Sequence, residues 1–246
     1  MDYNTGSGGG SGDGGSSGGP GVPPPPRVSG GATAEEFNLD NPVQSFLSTV
    51  RGVLLRPASF FRGMARSGDF LNPIVFTVIC YLVYLVLAEI VALALGGILS
   101  AAFDNLQQFG FQASVSLVRF FIGLIAWPIW SVLMLLLLTV LRHLLVLLLV
   151  GSSNGGFEAT LRIQSYVAAT RLVWWVPIIG GIVGFFYSLY LYVVGIREVH
   201  STSTGRAAVI VLAPWAVVFS FILLIVLFFG AAILTVLLGA LSQQGS

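Results

Sequence analysis

Residues 118–150 read VRFFIGLIAWPIWSVLMLLLLTVLRHLLVLLLV, and no formal charge lies between Arg119 and Arg142. At about 1.5 Å of rise per residue that gap is roughly 35 Å of helix, enough for a bilayer core of about 30 Å. A water-soluble fold would not commit such a stretch to one helix with no polar face. The run therefore reads as a transmembrane helix. The rest of the composition agrees: 56% of residues are hydrophobic and 9% charged, with a mean hydropathy of +0.92. A soluble domain averages about 25% charged residues.

Other apolar runs fill most of the chain. The first span is expected over about 73–99, starting at Asn72-Pro73. The second is the 118–150 run, with Pro128 as a kink. Gly151 to Gly156 form a polar turn. Residues 157–196 are split by Pro177 and Gly180-Gly181, giving a third span over 157–173 and a fourth over 177–196. A fifth follows a polar loop at 197–206 and covers 207–238. A re-entrant hairpin over 157–196 fits the same pattern. Before the first span, Asn41-Pro42 opens a helix with Val43, Phe46, Leu47, Val50 and Leu54 on one face. Past Pro57, the residues Phe60, Phe61 and Met64 begin a second stripe, flanked by Arg56, Arg62 and Arg66. Two short basic amphipathic helices beside a span read as interfacial, lying on an anionic leaflet, with packing under the bundle as the other reading.

The domain reading is thus a disordered Gly/Ser/Pro-rich tail over 1–40, interfacial helices over 41–70 and a transmembrane domain over 71–240. The fold class is all-α, a polytopic helical bundle of about five spans. Residues 1–34 lack the basic and apolar regions of a signal peptide. Pro23–Arg27 would suit a proline-binding partner, with a plain flexible tail as the simpler reading. All the basic residues are arginine. Arg51, Arg56, Arg62, Arg66, Arg142, Arg162, Arg197 and Arg206 fall on one side of the membrane if five spans alternate. By the positive-inside rule that side, with the amino terminus, is cytoplasmic.

Chemistry is sparse. A net charge of +1 leaves no nucleic-acid footprint. The lone cysteine, Cys80, reads as a small buried hydrophobe. No span contains an aspartate, no nucleotide or zinc-protease motif is present, and His143 and His200 are far apart in sequence. No catalytic set, metal site or cofactor is expected. Glu89 and Arg171 lie inside apolar runs, where an unpaired charge is costly, so they are candidates for an intramembrane ion pair. Ala88, Ala92 and Gly96, and Gly180 with Gly184, have the small-residue spacing of close helix packing, within the chain or in a homodimer.

Four stretches resemble the Yip1-domain family in its bacterial form. LLRPASFFRGM (54–64) is similar to the family's rP..FF..m entry. FEATLRIQSY (157–166), WVPIIGG (175–181) and VGIREVHSTSTGRA (194–207) resemble its f..tl...aY, iP..G and iGl.e.h..s..rA stretches. The family usually has a proline shortly after the position of Tyr166. Here Ala169, Thr170 and Arg171 stand there, so a straighter third helix is expected. The resemblance implies a five-span membrane domain with a cytoplasmic amino terminus and no catalytic set. Eukaryotic members act in vesicle trafficking and bind Rab-type GTPases. The implied role is a non-enzymatic adaptor or membrane-organising scaffold, in a bacterial inner membrane or a eukaryotic endomembrane. Its candidate partner contacts are Arg56, Phe60, Phe61, Arg197, Glu198, His200 and Arg206. A small-solute transporter or channel subunit is the alternative; it requires a polar cavity at mid-membrane.

Overall fold

The computed structural model describes residues 34–103 and 106–244. Most of the expected tail, including Pro23–Arg27, lies outside them. The part of that tail which is described, Ala34–Asp40, is a docked strap, and the expected boundary at 40 is corrected. Phe37 is 2% exposed. Its ring packs against Phe46 and Phe76, with centroids 6.5 and 5.9 Å away. The strap lies along α1 (Pro42–Leu55), where Ser45 Oγ donates to the Asn38 carbonyl at 2.9 Å and Thr49 Oγ1 to that of Glu35 at 3.0 Å. Ser45, Thr49 and Val53 therefore take the inner face of α1. The expected stripe divides: Phe46, Val50 and Leu54 pack on the core, while Val43 and Leu47 point outward. Pro57 breaks the helix, and α2 (Pro57–Gly63) buries Phe60 and Phe61.

Four helices among the described residues contain apolar stretches long enough to cross a membrane: α3 (Leu71–Ala102), α4 (Leu106–Leu149), α7 (Ile179–Val199) and α8 (Thr204–Gln244). Asp69 starts α3, its carboxylate accepting from the backbone N–H groups of Leu71 at 2.8 Å and Asn72 at 2.9 Å. This is two residues earlier than Pro73 suggested, because the acid supplies the cap. Most of the expected connection at 99–118 is helical. At 44 and 41 residues, α4 and α8 are about 66 and 60 Å long, well beyond a bilayer core. Each carries an internal proline, Pro128 and Pro214. Their outer surfaces are apolar and uncovered, as at Ile125, Leu148 and Phe228. That is the surface a lipid solvent requires.

The third segment is different in kind. It comprises α5 (Gly156–Val167), a 3₁₀ turn (Ala168–Thr170) and α6 (Arg171–Trp174), 12, 3 and 4 residues end to end. Together they rise about 28 Å, close to a bilayer core. Every residue from Ala159 to Thr170 is buried, Thr160, Arg162, Gln164 and Ser165 among them. Polar side chains are costly against lipid, so the most polar helix sits where protein surrounds it. Where relatives have proline, the backbone tightens to 3₁₀ while staying in the right-handed helical region. This run and α7 lie antiparallel. Gly155 N–H donates to His200 at one end, and Trp174 lies against Gly184 near the other. With 21 residues, α7 is about 31 Å long, so the hairpin is as deep as two full crossings. Its bend is strained: Ile178 has φ 66°, and Ile179 N–H donates to the Pro177 carbonyl at 2.7 Å, a tight γ-turn.

Candidate functional site

At the arginine-rich end, the strap is locked by one carboxylate. Glu36 accepts from Arg162 Nη1 at 2.6 Å, from the Tyr166 hydroxyl at 2.8 Å and from the backbone N–H of Ala65 at 2.6 Å. Arg162 is also 3.5 Å from Glu158 and donates to the Asp69 carbonyl at 2.8 Å. Three segments, the strap, the α2–α3 connection and α5, thus meet on a largely buried charge pair. The two backbone N–H groups on Asp69 hold its carboxyl below the usual value.

The expected contact residues separate by burial. Phe60 and Phe61 are 5% and 1% exposed and His200 is 1% exposed. These three are core residues, and their expected role in touching a partner is corrected: the apolar stripe of α2 faces the bundle, where Phe60 meets Tyr166 edge-on at 5.4 Å. Glu198 is occupied, bound by Arg62 at 3.0 Å from α2 and by its neighbour Arg197 at 2.5 Å. Arg56 and Arg206 are exposed and Arg197 is half-exposed. Arg51, Arg62 and Arg66 are exposed on the same end.

Both histidines converge on Thr160. Gly155 N–H donates to His200 Nδ1 at 3.1 Å, so the imidazole proton sits on Nε2 and goes to Thr160 Oγ1 at 3.2 Å. The threonine hydroxyl donates to the Gly156 carbonyl at 3.1 Å, and its oxygen takes a second donor, His143 Nδ1–H, at 3.0 Å. Burial pushes the His200 pKa down to about 4, helped by the charges of His143 and Arg66.

Inside the bundle, the expected ion pair does not form. Glu89 accepts a hydrogen bond from Ser116 on α4. The Arg171 guanidinium lies 5.0 Å from the centroid of Tyr81 and 3.6 Å from that of Trp174. Tyr81 is eight residues before Glu89 on α3, so the carboxylate lies about 12 Å further along the helix than the arginine.

Arg171 instead lines an interior cavity of about 170 Å³ together with Arg142, Gln164, Tyr81, Tyr192 and Trp174. Arg142 is 8% exposed; it donates to Gln164 and lies 3.5 Å over the Tyr192 ring. In the sequence Arg142 reads only as a charge that orients a span.

A family model described as the Yip1 domain matches residues 51–226. The chain belongs to the Yip1-domain family. It is an integral membrane protein. No curated protein and no solved structure shows significant similarity to it. The four stretches that carry the resemblance have structural duties in this Yip1-domain protein. Arg56-Pro57 separates α1 from α2, and Phe60-Phe61 anchors α2. Arg162 and Tyr166 hold the strap, Pro177 makes the hairpin bend, and Glu198 and His200 tie the last loop to α2 and α5. Glu36 was missed, being one acid beside one aromatic at the end of a Gly-rich stretch. Its signal was that Phe37 is the first large apolar residue after Val28.

Proposed function

We propose that this Yip1-domain protein is a non-enzymatic, membrane-organising adaptor that works through the end carrying α1 and α2, and that this end is cytoplasmic. One observation carries the reading. Arg51, Arg56, Arg62, Arg66 and Arg206 are exposed at one end of the bundle, beside outward-facing Val43, Leu47, Leu55, Phe70 and Leu71. A basic surface with an apolar fringe suits an anionic leaflet and an acidic partner on it. The strap and the Arg62–Glu198 bridge fix that surface to the bundle, which suits a rigid platform. Self-association through Ala92, exposed on α3, belongs to the same proposal. A photo-crosslinking residue at Arg56 or Arg206 should give discrete protein adducts in native membranes. The same group at Phe228, on the lipid-facing side of α8, should give lipid adducts only. Identical adducts at all three positions would count against a partner surface.

The second reading, a small-solute transporter, is supported by the interior cavity with its two arginines. Saturable uptake of labelled phosphate into proteoliposomes, abolished by Arg171→Gln, would favour it over the adaptor.

A further inference from the structure

We propose that the interior cavity is a binding site for an oxyanion, a phosphate group foremost, gripped by Arg142 and Arg171. The inference concerns binding alone and stands under either functional reading.

The first ground is charge. The cavity is walled by α3, α4, α5, α6, α7 and α8, and two guanidinium groups border it. Among the described residues no carboxylate lies within ion-pair distance of either. Four described acids are committed elsewhere: Glu36 and Glu158 to Arg162, Glu198 to Arg62 and Arg197, Glu89 to Ser116. A buried lysine could relieve such a site by losing its proton; arginine does not. Two permanent like charges facing one space of low dielectric repel each other, and a shared counter-anion turns that repulsion into attraction.

The second ground is the surplus of donors. Of the N–H groups on the two guanidinium groups, Arg142 Nη1 has Gln164 as a side-chain acceptor and Arg171 has the Tyr81 hydroxyl beside it, which leaves several more to be satisfied. The hydroxyls of Ser131, Thr170 and Ser188 give their protons to carbonyls of their own helices, so they add oxygens and no free donors. Stacking on Tyr192, Tyr81 and Trp174 orients the guanidinium planes and offsets part of their desolvation, but it uses ring faces and leaves N–H edges free. Planar N–H forks match the oxygens of phosphate or carboxylate. A cation entering here would meet the repulsion of two guanidinium charges.

The third ground is size. About 170 Å³ is several times the roughly 30 Å³ that a water molecule occupies in the liquid. It admits a tetrahedral oxyanion with a few waters. The phosphate can be free or can be the headgroup of a membrane phospholipid entering between helices.

The test uses the full-length protein in a non-ionic detergent. Its thermal midpoint is followed against sodium phosphate, with sodium chloride at equal ionic strength as reference. In a second arm the protein is purified from vesicles of phosphatidylglycerol or of a phosphate-free glucosyl diacylglycerol, and retained lipid is counted by native mass spectrometry. A saturable rise with phosphate, its half-saturation raised at least tenfold by Arg171→Gln and unchanged by Arg119→Gln, at an exposed arginine of α4 away from the cavity, supports a free anion. Retention of phosphatidylglycerol but not the glycolipid, lost in Arg171→Gln, supports a headgroup. Phosphate acting no differently from chloride, with no preference for the phospholipid, overturns the proposal; so does binding that Arg171→Gln leaves intact. If that variant does not fold, the two wild-type comparisons decide the matter alone.

Discussion

Glu36 is the residue on which the arginine-rich end depends. Its carboxylate receives Arg162, Tyr166 and the Ala65 N–H together, with little water to replace any of them. Removing one partner of a buried charge pair costs about 3–5 kcal/mol. Glu36→Ala should therefore lower the thermal midpoint strongly, while exposed Glu35→Ala should leave it almost unchanged; equal effects would show that the strap is held by its backbone. His200 sets a pH dependence. Its folded pKa of about 4 lies below the ordinary 6.5, so the folded state favours the neutral ring. Stability from this group is complete above about pH 6.5, falls as pH drops toward 4 and changes no further below that. The loss is on the order of 3 kcal/mol. Midpoints measured from pH 7.5 to 4 should show that decline in the wild type and a flatter one in His200→Gln. Ile178 stores strain of about 1–3 kcal/mol at its positive φ. Ile178→Gly should raise the midpoint, since glycine adopts that conformation freely.

At the scale of elements, legibility followed polarity. The helices α3, α4, α7 and α8 were readable because lipid demands long apolar runs, and nothing inside the protein disguises them. Their ends were less readable: α4 starts at Leu106 rather than 118, since polar residues beyond the bilayer continue a helix as readily as they end it. The α5–α6 run was placed by its length, but not its role as the enclosed centre. Its polar residues looked like a weak span, when they are the feature that keeps it away from lipid. The strap was missed because a few residues with one buried aromatic have no period to detect. The small-residue spacing on α7 did carry meaning. A Cβ on Gly184 would lie 2.1 Å from Trp174 Nε1, and one on Gly180 would lie 2.2 Å from the Val173 carbonyl. These glycines let α7 close on α6 within one chain. Gly184→Leu should cut the yield of folded protein in detergent severalfold. Unchanged yield would mean that Trp174 has room to swing away.

Over the described residues the bundle is apolar on its outer surface as well as in its core, and within that core it also encloses Arg142, Arg162, Gln164 and His200. Its proposed working surface is the end where the strap, α1, α2 and the last loop meet. Everything proposed for that surface depends on five crossings and on that end being cytoplasmic. Both are tested by one measurement: labelling of introduced cysteines by an impermeant thiol reagent in intact cells. Native Cys80 is fully buried and should stay silent. Pro177→Cys at the hairpin bend and Ser203→Cys in the last loop are both exposed positions at opposite ends of α7. Five crossings with the arginines inside require Pro177→Cys to label from outside and Ser203→Cys to label only after permeabilisation. Labelling of Ser203→Cys in intact cells, or protection of Pro177→Cys there, would contradict the arrangement.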